Sequence, residues 1–184
     1  FLSEYEKKLS KDFYNNGYIV KKSKDLKSIN KIRNLITTRL KKILKIKSKF
    51  NDEDLLNNTH KYIKSKNLNK VRIDLIDSVT SSKNFKKLYY EASKEYINIL
   101  LGNELVMQKS LGLSVQVPND ESSVLPIHSD VWSGVSPFDI VVWIPLVNCY
   151  KTKAMFILPP KNNKKFFKNF KNLNKLDSKK IFNK

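Results

Sequence analysis

The chain has 184 residues, 36 of them Lys or Arg and 17 Asp or Glu, for a net charge of +19. Its length suits one domain with room for a hydrophobic core, and 40% hydrophobic with 11% aromatic residues exclude a disordered chain. No stretch approaches the ~18 uncharged apolar residues of a membrane-spanning helix, and a single cysteine, Cys149, excludes an internal disulfide and suits a reducing, cytoplasmic setting.

A charge of +19 is the usual footprint of a nucleic-acid or anionic-surface binder. Two counts weigh against that reading. Only Arg33, Arg39 and Arg72 are Arg among the basic residues, whereas bidentate reading of phosphates and guanines favours Arg. Lys, Asn and Ile together make 69 residues, the bias that an A/T-rich coding sequence produces whatever the function. No specific nucleic-acid partner is therefore expected. The charge is also uneven: residues 1–102 carry +13, residues 103–150 carry −4 and residues 151–184 carry +10. An acidic, apolar centre lies between Lys-rich flanks.

In chain order, residues 1–102 read as a helical N-terminal part. The first ten residues, with Glu4 and Glu6, lack the apolar run of a secretory signal. Ser23 is expected to cap a helix whose apolar residues fall at Leu26, Ile29, Ile32, Ile36, Leu40 and Ile43, with Lys opposite. Such a helix either packs its stripe on a core or lies on a membrane through Leu26–Lys47. Shorter helical patterns follow near Asp54–Ser65 and Lys70–Val79, and a longer one from Phe85 to Leu100 stops at Gly102. The period then changes to two. Leu111–Val117, Phe138–Leu146 and Ala154–Pro159 read as strands separated by turns, Pro118-Asn119-Asp120 among them. Short strands without crossover helices imply antiparallel pairing in a sandwich, barrel or jelly roll. The tail holding Phe166, Phe167 and Phe170 is expected to form a short helix over that sheet.

Between the first two strands lies Leu125-Pro-Ile-His128-Ser-Asp130-Val-Trp132-Ser-Gly134. Side chains two apart on extended backbone lean to one side. His128 and Asp130 so placed are two members of the 2-His-1-carboxylate triad that holds non-haem iron(II) and leaves a face open. The bland alternative is a histidine steadied by a neighbouring carboxylate.

The run from Leu125 to Leu146, continued by Lys151–Pro159, resembles the iron(II)/2-oxoglutarate-dependent oxygenases. It is most similar to the branch found in carbohydrate-biosynthesis clusters, and more distantly to the phytanoyl-CoA-type hydroxylases. His-x-Asp followed by Trp132-x-Gly134 and Ser136-Pro-Phe138 carries the resemblance, which covers about residues 105–160. It implies an α+β fold with N-terminal helices packed on a partial double-stranded β-helix, a cupin-like jelly roll whose first half occupies residues 103–184. It implies Fe(II) held by His128 and Asp130, with 2-oxoglutarate as co-substrate and dioxygen and a saccharide or sugar-derived metabolite as substrates. Gln116 is then placed to contact 2-oxoglutarate or substrate, and Lys153 to pair with a 2-oxoglutarate carboxylate or simply to be solvated. Trp132 and Trp143 line a sugar-binding mouth or pack in the core.

The pattern also departs from the family. No His follows His128 and no Arg follows Arg72, whereas the family uses a distal His and an Arg about ten residues beyond it. His60, in a helical pattern upstream, is expected at the surface. Three or four strands fall short of the eight that close a jelly roll. The expectation is therefore an N-terminal fragment of such an oxygenase, turning over poorly or not at all by itself. The alternatives are a degenerate homologue, a non-catalytic carbohydrate-binding module, a basic nucleic-acid-binding protein or a membrane-surface protein.

Overall fold

The computed structural model describes residues 2–47, 49–120, 125 and 127–168, except for the side chains of Thr152, Phe166 and Phe167. The expected C-terminal tail is helical over its described part, to Lys168, while Phe170 and the remainder of residues 169–184 lie outside the described residues. Among the described residues six α-helices run in order: α1 (Glu4–Asn16), α2 (Leu26–Ile43), α3 (Asp52–Asn57), α4 (Leu68–Thr80), α5 (Phe85–Leu101) and α6 (Pro160–Lys168). The described residues form two compact units. One draws on Phe1–Val20, Val124–Trp143 and Ala154–Lys184, the other on Lys21–Ser123 and Ile144–Lys153. No described helix is long and apolar enough to cross a membrane.

The second unit is organised by α2. Its apolar stripe, Ile32, Ile36 and Leu40, is 3%, 3% and 2% exposed, and it packs on Leu68, Val71, Leu75 and Val79 of α4 and on Phe85 and Ala92 of α5. Full burial of each such side chain contributes about 1.5–3 kcal/mol, which commits this face to the core and removes it from any membrane surface. Asp25, and not the expected Ser23, caps α2, because its carboxylate accepts the Ser28 amide at 3.0 Å. Ser23 instead donates its hydroxyl to the Ala92 carbonyl at 2.6 Å, and the Tyr96 hydroxyl donates to the Lys22 carbonyl at 2.7 Å. These two bonds tie the approach to α2 onto α5. At six residues α3 is too short to be stable alone. Asp52 in its first turn accepts the Thr37 hydroxyl at 2.7 Å and the Asn34 amide at 3.0 Å, which fastens it to α2.

In the first unit, α1 begins with a capping box. The Ser3 hydroxyl accepts the Glu6 amide, and the Glu6 carboxylate accepts the Ser3 amide at 2.7 Å. Hydrogen bonds from Ser3 hold the Glu6 carboxyl below its usual range. The helix ends at Gly17, left-handed at φ 74°, whose amide donates to the Phe13 carbonyl at 2.8 Å. Here α1 meets α6, and a Cβ on Gly17 would lie 3.1 Å from the Pro160 ring.

The jelly-roll expectation is overturned, because no residue among those described is in a β-strand and the architecture is helical. The alternation itself is real. Leu111, Leu113, Val115 and Val117 are half-buried on the helical core of the second unit while Gly112, Ser114 and Gln116 face outward, and Ile144 and Leu146 lie on the same core. A period of two reports which side of an extended chain is covered, and here helices do the covering. A strand also needs a partner at ladder distance. In Ala154–Pro159 the apolar side chains of Met155, Phe156, Ile157 and Leu158 are exposed, so that run is neither paired nor covered.

Candidate metal-binding site

His128 and Asp130 come together in the first unit. Ser129 between them is extended (φ −123°, ψ 136°), which turns the two flanking side chains to one side. Asp130 then opens a short 3₁₀ turn, Asp130–Ser133. The Trp132 amide donates to the Ser129 carbonyl at 2.9 Å, and Gly134, left-handed at φ 85°, returns its amide to the Asp130 and Val131 carbonyls. The Val135 amide donates to the Asp130 carbonyl at 3.3 Å. The backbone of Asp130 is thus held on both sides. Its Oδ1 stands 3.5 Å from His128 Nε2, and the two side chains are 41% (His128) and 50% (Asp130) exposed.

Two metal–ligand bonds of about 2.1 Å span up to about 4.2 Å, so a nitrogen and an oxygen at this separation lie within reach of one divalent ion. An imidazole and a carboxylate together suit a borderline cation such as Fe(II), and their exposure leaves a face open to exogenous ligands. The donor set fits two positions of the expected triad. Among the described residues no third His, Cys, Asp or Glu joins them. His60, the other histidine, sits exposed on a 3₁₀ turn, Thr59–Lys61, of the second unit.

Trp132 and Trp143 belong to the same unit as the pair and are 50% and 44% exposed, so neither indole is consumed by core packing. Gln116 and Lys153 belong to the second unit. Gln116 is exposed on the face opposite Val115 and Val117. The Lys153 ammonium donates to Asn57 Oδ1 at 3.2 Å and lies 5.5 Å from the Tyr150 ring centroid, which gives it a local structural role. Nearby Cys149 has its thiol pushed up by burial, an effect that Lys153 partly offsets. Gly134, named in the sequence as part of Trp132-x-Gly134, proves to be the left-handed residue that closes the turn. No family model, curated protein or solved structure matches this chain.

Proposed function

We propose that the chain carries part of the iron(II) site of a 2-oxoglutarate-dependent oxygenase acting on a saccharide or sugar-derived metabolite, in a cytoplasmic setting that suits its single cysteine. What supports the reading is the His128 Nε2–Asp130 Oδ1 pair at 3.5 Å on a solvent-open turn. Bound Fe(II) would supply activation of dioxygen coupled to decarboxylation of 2-oxoglutarate. His128 and Asp130 would hold the ion, the Gly134 turn would fix the carboxylate, and the half-exposed indoles of Trp132 and Trp143 would offer flat faces for a pyranose ring. With two protein ligands among the described residues, turnover by this chain is expected to be slow or absent.

The test is equilibrium dialysis of labelled 2-oxoglutarate without oxygen. Fe(II) should raise its binding at least tenfold in the native chain and not in Asp130→Ala. Equal binding with and without Fe(II) would contradict the proposal. Saccharide binding lost in Trp132→Ala, with no Fe(II) effect, would favour the carbohydrate-binding module instead.

A further inference from the structure

We infer that the outer face of α2 is a sequence-independent docking surface for the phosphate backbone of a nucleic-acid duplex. The buried stripe of α2 turns the opposite face outward, and a shallow groove of about 850 Å³ runs along it beside Asp52. Four cations line this groove: Lys27, Lys31, Arg39 and Lys42. None of the four makes an ion pair or a side-chain hydrogen bond among the described residues. Lys7, Lys24, Arg33 and Lys94, by contrast, each face a glutamate. The one lining carboxylate, Asp52, already accepts hydrogen bonds at both oxygens, from Thr37 and Asn34.

The length of the array identifies its ligand. Lys27 and Lys42 are fifteen positions apart on one helix, about 22 Å at 1.5 Å per residue. A single phosphate would occupy one end of it. Over that length of its axis a duplex carries roughly six phosphates per strand, one per 3.4 Å, and those on the facing side form an array of matching length. Single-stranded nucleic acid is held largely by stacking on aromatic rings, and no aromatic residue lines the groove. An anionic membrane is bound through an inserted apolar face, and that face of α2 is buried in the core. Lysines act as point charges that contact phosphate without reading bases, so the surface discriminates by charge and not by sequence.

The experiment measures anisotropy of a labelled, random-sequence 20-base-pair DNA duplex from 50 to 200 mM salt. It compares the native chain with a groove variant (Lys27→Ala, Lys31→Ala, Arg39→Ala, Lys42→Ala) and a charge-matched control (Lys8→Ala, Lys11→Ala, Lys86→Ala, Lys87→Ala). All eight positions are helical, so alanine preserves the fold, and circular dichroism verifies this. The groove variant should bind at least tenfold more weakly at 50 mM salt. Its log–log salt slope should be shallower by about 3 to 4, the loss of four phosphate contacts. The control should change affinity less than threefold. Equal losses in the two variants would overturn the proposal, as would a native chain that does not bind the duplex at 50 mM salt. So would a groove variant that keeps its duplex affinity and loses only sedimentation with vesicles of 30% phosphatidylserine in phosphatidylcholine.

Discussion

Arg33 Nε donates a hydrogen bond of 2.9 Å to the Leu146 carbonyl, joining α2 to an extended run 113 positions later in the chain. The same guanidinium reaches Asn30 Oδ1 at 3.1 Å and Glu53 at 4.0 Å, and its side chain is 22% exposed. One residue therefore pins α2, the start of α3 and the run that carries Ile144 and Leu146 onto the core. Hydrogen bonds from charged donors contribute about 1.5–3 kcal/mol, and the remaining exposure lowers that. Arg33→Ala is expected to cost about 1–2 kcal/mol in urea unfolding, and Arg33→Lys nearly as much, because an ammonium cannot reproduce the fork. A loss below about 0.3 kcal/mol in both would show that Leu146 is held without Arg33.

Thr37 is fully buried and gives its hydroxyl to Asp52. Thr37→Val keeps the shape and removes the donor, leaving Asp52 with Asn34 alone. The expected loss is about 1–2 kcal/mol, with Thr37→Ser retaining most of the stability. If valine and serine prove equally stable, the hydroxyl plays no part in fastening α3.

Gly17 and Gly134 separate strain from crowding. Both have positive φ, but only Gly17 has a neighbour, Pro160, where a Cβ would stand. Gly134→Ala is expected to cost about 1–2 kcal/mol from backbone conformation alone, and Gly17→Ala more than that. Thermal melts of the two variants rank them. The reverse order would mean that α6 yields to the added methyl group.

The cap of α2 makes a pH-dependent contribution. Hydrogen bonds from the Ser28 side chain and amide hold the Asp25 carboxyl below its ordinary range. A depressed folded-state value means that the stabilisation is complete above the unfolded value of about 4 and is lost as pH falls through the folded one. Between pH 5 and pH 2 the native chain should lose more stability than Asp25→Asn, which caps without titrating. Parallel pH profiles for the two proteins would remove Asp25 from the acid response.

The helices are legible in the sequence because the residues that decide them are near neighbours. Ile32, Ile36 and Leu40 recur at the helical period and are buried together, and Gly102 stops α5 at φ 84°. The start of α1 is not among the helices expected from the sequence, although Ser3 and Glu6 stand at capping-box spacing. The exchange of Ser23 for Asp25 as the cap follows from a tertiary bond to Ala92 that local patterns do not contain. Strand pairing is non-local in the same way. The alternation in Leu111–Val117 reveals a covered face and is silent about whether helix or strand covers it. At the candidate site, the approach of His128 to Asp130 follows from a spacing of two across an extended Ser129. The separation of Gln116 and Lys153 into the other unit depends on contacts far along the chain.

The most direct measurement of the central claim is metal binding itself, followed by electron paramagnetic resonance of Mn(II) as a redox-stable stand-in for Fe(II). The native chain should take up one equivalent, and His128→Ala and Asp130→Ala should each weaken uptake at least tenfold, with Trp132→Ala unchanged. Uptake that is equal in the native chain and in both ligand variants would contradict a metal site at His128 and Asp130.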